Sequence, residues 1–138
     1  MASNPAFVGT PKLGLTKIEN ADGTTAQTLV TAGSSGSKVT GVNVASSDAT
    51  ARTVQFIINR SGTAYVLGTV SIPASSGTDG SAASVAVLSN SLIAGLAEDS
   101  DQQPYVFMES GDTLTAALTT GAVTSSESID IIAVYGDF

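Results

Sequence analysis

Val54, Phe56 and Ile58 alternate with Thr53, Gln55 and Ile57, and Ile129, Ile131 and Ala133 alternate with Asp130, Ile132 and Val134. A period of two over runs shorter than about ten residues places one set of side chains on each face of a β-strand. Runs of this kind recur at 15–20, 26–31, 37–46, 52–59, 64–72, 83–89, 104–108, 112–118 and 128–135, the spacing of a sandwich or barrel. Val42 and Val44 face one way in the third, with Val39 at its start, and the last run is apolar on both faces, which predicts a central strand. The chain has 13 Val and 8 Ile against 9 Leu, a bias toward residues that pack on pleated sheets. The separators fit: Asp22-Gly23 and Asp79-Gly80 are turn dipeptides, 33–37 and 74–77 are small-residue loops, and Gly111-Asp112 precedes a strand. One stretch, Ser89–Ala97, reads as a short helical turn with Leu92, Ile93 and Leu96 on one side. The connection onward through Gln103 is expected to cross between sheets. No 20–50-residue period repeats, which excludes a solenoid or propeller. The expected fold class is all-β.

Missing residue types restrict the chemistry. With no His and no Cys there is no imidazole base, no thiolate, no zinc or haem site of the usual kind and no disulfide. No glycine pair is followed by Lys in the phosphate-cradling register. Glu98, Asp99 and Asp101 form the densest carboxylate cluster, but the calcium-loop ligand pattern is incomplete, so the cluster reads as a solvated loop with no metal. Two carboxylates can hydrolyse a glycoside, yet sugar clefts favour aromatic platforms. With no Trp, and Tyr65, Tyr105 and Phe107 inside predicted strands, those rings read as core. The chain is expected not to be an enzyme and to use no cofactor.

Charge is segregated. All five basic residues, Lys12, Lys17, Lys38, Arg52 and Arg60, lie in the first 60, and residues 61–138 carry acids alone. Such a chain offers no basic groove for nucleic acid and no basic patch for an anionic membrane. The first residues show neither a positive n-region nor an apolar h-region, so no secretory leader is expected, and the Asn59-Arg60-Ser61 pattern is accidental. Residues 1–14, with Pro5, Gly9, Pro11 and Gly14, read as an extended arm preceding one domain over 15–138, because proline interrupts ladder pairing. Gly, Ala, Ser and Thr supply half the chain. A surface of short side chains loses little rotamer entropy when it is covered, which favours assembly.

Several segments carry a resemblance: Ala21-Asp22-Gly23-Thr24, Thr28-Leu29-Val30-Thr31-Ala32-Gly33 leading into Gly36-Ser37-Lys38-Val39, Ala51-Arg52-Thr53-Val54, and Tyr135-Gly136-Asp137-Phe138. Together with the Ser-Asn-Pro start, the chain resembles a family of small structural proteins of tailed bacteriophages. The resemblance implies a capsid decoration, or cement, protein: a jelly-roll-like antiparallel β-sandwich of about eight strands, located on the virion surface and made in the host cytoplasm. It further implies homotrimers bound to the major capsid protein at threefold or quasi-threefold positions. Pro5, Phe7, Pro11, Lys12 and Lys17 are then the candidate interface residues, with Phe7 as anchor and the lysines as charge partners of the shell or a neighbouring protomer. The alternatives are a tail, neck or fibre subunit and a carbohydrate-binding module for host attachment.

Overall fold

The computed structural model describes residues 9–138. Its strands are β1 (Thr10–Glu19), β2 (Gln27–Thr31), β3 (Ser37–Ser46), β4 (Arg52–Arg60), β5 (Thr63–Ile72), β6 (Val85–Ala86), β7 (Ala97–Glu98), β8 (Pro104–Met108), β9 (Thr113–Leu118) and β10 (Ser128–Asp137). One sheet runs β1-β10-β3-β8-β7 with β6 beside β3, and the other runs β2-β9-β4-β5. The chain changes sheet between β1 and β2, β2 and β3, β3 and β4, β5 and β6, and again on either side of β9. That interleaving of eight long strands is a jelly-roll sandwich.

Period-two patterning accounts for the core. Val54 and Phe56 on β4 and Ile129, Ile131 and Ala133 on β10 belong to one core cluster, and all five are buried. On β3, Val39 is buried beside Val42 and Val44 although two residues, Thr40 and Gly41, separate the first two. Val39 pairs with Tyr135 while Gly41 pairs with Val134, so Thr40 is an extra residue whose bulge returns Val39 to the inner face.

Several expectations change. β1 begins at Thr10, so residues 10–14 belong to the sheet and not to an arm. Pro11 pairs with Gly136 because β1 is an edge strand, where one side of the backbone needs no ladder donor. Gly14 serves close approach: a Cβ there would collide with the carbonyl oxygen of Leu29 on β2. The 83–89 run keeps two strand residues, since Val87 and Leu88 turn into the core. Ala97 opens β7, and residues 89–96 form a succession of turns. In it the Ile93 N–H donates to the Ser89 carbonyl, and Ile93 is buried over Gly68 while Leu92 is exposed. The 89–103 connection starts and ends on the six-stranded sheet, and the crossing occurs instead between β5 and β6. Tyr65 and Phe107 are not core, with 58% and 54% of their surfaces exposed. Tyr65 lies at the end of edge strand β5 and Phe107 on the outward side of β8.

Candidate interaction surface

The two outer faces of the sandwich differ. On the four-stranded sheet the outward side chains are mainly Thr, Gln and Asn, tied to one another, with the opposed Ile57–Val66 pair as an isolated apolar exception. The Gln55 amide donates to the Thr69 hydroxyl at 3.4 Å and the Asn59 amide to the Thr115 hydroxyl at 3.3 Å. The outer face of the six-stranded sheet is aliphatic. Leu13 lies opposite Val134, and Leu15 opposite Ile132, with exposures of 63%, 50%, 68% and 40%. Directly opposed residues on adjacent strands share one face, so these four side chains form a continuous exposed quartet. On β3 it borders Gly41, which has no side chain, and the exposed Asn43.

Both ends of this face carry specific groups. At one end Lys17 Nζ contacts Asp130 Oδ1 at 2.6 Å. At the other, Phe107 makes an edge-on contact with Tyr105 at 4.8 Å and a tilted one with Phe138 at 5.8 Å. The Lys38 ammonium sits 4.5 Å from the Tyr105 ring centre and 6.0 Å from that of Phe107, a cation–π geometry. Among the described residues, Lys38 is the one basic side chain without a carboxylate partner.

Of the residues singled out from the sequence, Pro5 and Phe7 lie outside the described residues. Pro11 and Lys17 share the outer face of β1. Lys12 projects the other way and pairs with Asp137 at 2.6 Å. The Ser37 hydroxyl also donates to Asp137, at 2.6 Å, and the Gly33 N–H donates to Ser37 Oγ. Both lysines therefore already hold intramolecular partners, which raise their pKa values, and their visible role is to fasten β1 to β10. Glu98, Asp99 and Asp101 do not converge. Asp99 caps its own loop by accepting from the Asp101 and Gln103 N–H groups. Among the described residues, no three acidic side chains are grouped to hold a metal ion.

Sequence reasoning missed the carboxylates that close the two ends of the sandwich. Asp48 is fully buried in the β3–β4 turn. Its carboxylate accepts from the Thr50 and Thr124 N–H groups, the Thr124 hydroxyl and Arg52 Nε, all within 2.9 Å. Burial pushes this carboxyl up, and the four donors more than offset that and hold it at about 2. The local signal is an acid at i accepting from i+2, with Arg at i+4. Thr124 is invisible to such a reading because it lies 76 residues away. At the opposite end, buried Asp112 accepts both Nε and a terminal nitrogen of Arg60 and also the Glu109 N–H. Arg60 foremost keeps its carboxyl below the usual range, against the effect of burial. Asp137 is lowered in the same way, chiefly by Lys12 and Ser37.

A group whose folded pKa is depressed contributes stability that is complete above its unfolded value. That stability is lost as pH falls toward the folded value. All three acids have an ordinary value of 3.8, so the melting temperature should be level from neutral pH to about 4 and fall steeply below it. Thermal melts followed by circular dichroism at pH 7, 4, 3 and 2.5 measure this. A constant melting temperature across the series would contradict the linkage.

No family model matches the chain, and no curated protein matches it. Among solved structures, a chain of the cyanophage Pam1 capsid asymmetric unit is similar with a TM-score of 0.47 and 21% identity. The alignment covers 100% of this chain and 92% of that one.

Proposed function

We propose that this protein is a structural component of a bacteriophage virion, specifically a decoration or cement protein on the outside of the head. In this reading it binds the major capsid protein as a homotrimer at threefold or quasi-threefold positions and stabilises the shell without making or breaking a bond. The observation that carries the reading is the exposed Leu13–Val134 and Leu15–Ile132 quartet on a sheet face. Contiguous apolar surface of this kind marks an interaction site, and side chains held on paired strands lose little freedom when covered. The segment resemblance to small phage structural proteins supplies the setting. A shell offers many equivalent sites, so modest contacts per subunit become avid when subunits are joined. The segment with Pro5 and Phe7 leads into the sheet at Gly9, whose N–H donates to the Asp137 carbonyl. In this reading it extends the contact from the Pro11 end of the same face.

The test is quantitative mass spectrometry of purified particles of the parent phage, paired with the double variant Leu15→Asp/Ile132→Asp. We expect a copy number in the hundreds, and loss of head attachment by the variant with a melting temperature close to that of the unmodified protein. A handful of copies per particle would overturn the head assignment in favour of a tail, neck or fibre subunit. Absence from particles would overturn the virion reading. Exposed Phe107 with half-buried Tyr105 and Phe138 bears on the carbohydrate-binding alternative, but the Lys38 ammonium already covers the Tyr105 face on which a sugar would stack.

A further inference from the structure

The quartet is centred on an edge. Leu13 and Leu15, the most exposed large apolar side chains among the described residues, both belong to β1, the outermost strand of the six-stranded sheet. β1 pairs with β10 over ten consecutive residues without a register shift. The open edge of β1 carries Pro11, which offers no donor there, but it is otherwise long and regular, whereas the other sheet edges are short or interrupted, which discourages pairing more. β7 has two residues, β2 is interrupted between Thr28 and Val30, and β5 is interrupted at Leu67. Among the described residues, no backbone hydrogen bond reaches β1 from the side away from β10.

We propose that β1 pairs with β1 of a second copy of this chain, antiparallel about a twofold axis through Gly14, so that two six-stranded sheets become one continuous sheet. The occupant is a second copy because this edge is self-complementary in charge and shape. With the axis at Gly14, Leu13 faces Leu15 of the second copy, Lys12 faces Thr16, and Lys17 faces Pro11, so no like charges stand opposite each other. The chain as a whole carries a net charge of −7, which opposes self-association over most of its surface. β1 is different: Lys12 and Lys17 are neutralised in place by Asp137 and Asp130, and two edges can meet without a charge penalty. The contact also joins the two aliphatic quartets across the seam. Because it is isologous, it links adjacent trimers and is not the threefold contact itself. It rests on the reading that the protein acts by assembly.

The chain contains no cysteine, which makes cross-linking clean. Directly opposed residues of antiparallel strands lie within disulfide reach. A mixture of the Leu13→Cys and Leu15→Cys variants under mild oxidation is therefore expected to give a covalent dimer, and neither variant alone should do so. No cross-link in the mixture, or equal cross-linking of either variant alone, would overturn the pairing. Sedimentation of the cysteine-free protein gives a second reading that does not depend on those variants. Leu13→Lys/Leu15→Lys should lower the assembled mass at least twofold, and an unchanged mass or a purely monomeric starting protein would refute the contact. A protein abundant on virions that fails both tests retains its virion role and loses this contact. A protein that cross-links but is absent from virions does the reverse.

Discussion

Replacing Asp48 by alanine is expected to lower the free energy of unfolding by about 3–5 kcal/mol, the range found when one partner of a buried ion pair is removed. One small side chain has this effect because it joins two loops at one end of the sandwich, and the third loop there is held by the Asp48 main chain, which alanine keeps. Its carboxylate binds Thr50 and Arg52 within its own turn and Thr124 in the loop before β10. Its main-chain carbonyl accepts the Ser75 N–H from the loop after β5. Truncation strands the Thr50 and Thr124 donors and leaves Arg52, itself mostly buried, with the Thr124 hydroxyl alone. For a domain of this length the loss corresponds to a fall of roughly 10–20 °C in melting temperature. Asp48→Asn retains one acceptor oxygen and should fall between the two, with a flatter acid transition. Chemical denaturation of the three proteins measures the effect, and a loss below about 1 kcal/mol for the alanine variant would mean that the loops are held by something else.

Gly14→Ala should be the second most damaging change, at about 2–4 kcal/mol. Its φ is not in the left-handed region, so the backbone tolerates alanine and the cost is steric. The new methyl group would meet the Leu29 carbonyl oxygen, with Val30 Cγ2 at 3.2 Å. Main-chain atoms of β2 cannot move aside as a flexible side chain would, so β1 must lift from the layer beneath. Gly41→Ala on β3 is the matched control. Its added methyl would lie 3.9 Å from Val134 Cβ, an ordinary contact, and the reduced freedom of the unfolded chain should make it neutral or stabilising by a few tenths of a kcal/mol. Equal losses from both substitutions, measured by urea denaturation, would show that strand glycines matter here for a reason other than close approach. If the Gly14 variant also assembles less well, the effect follows from displacement of Leu13 and Leu15.

The strands were legible because their signal is local. Val54-Gln55-Phe56 and Ile129-Asp130-Ile131 announce both element and inner face, and β4 and β10 lie where that alternation places them. Ile132 and Val134 were legible as a second apolar face and as the mark of a central strand. β10 does lie between β1 and β3, yet that second face looks outward. Sequence alternation reports that a face is apolar without reporting what lies over it. Pro11 misled for a related reason. Proline removes one donor, and whether that matters depends on whether a neighbouring strand needs it, which an edge position settles.

The candidate surface was legible only in part. From the sequence, Lys12 and Lys17 read as charge partners of the shell or a neighbouring protomer, whereas their carboxylate partners lie in the same chain, more than a hundred residues further along. No local pattern can pair groups so separated. The same holds for Asp48 with Thr124 and for Lys38 with Tyr105.

By itself, the order of residues determined the strand positions, the all-β class, the inward-facing side chains and the chemistry closed to a chain without His or Cys, because each depends on neighbours within a few residues or on composition. Tertiary structure alone decided which apolar face stays uncovered, which strand is left at an edge and which acids become buried hubs. Those outcomes depend on contacts between distant segments, which exist only once the two sheets have been laid against each other.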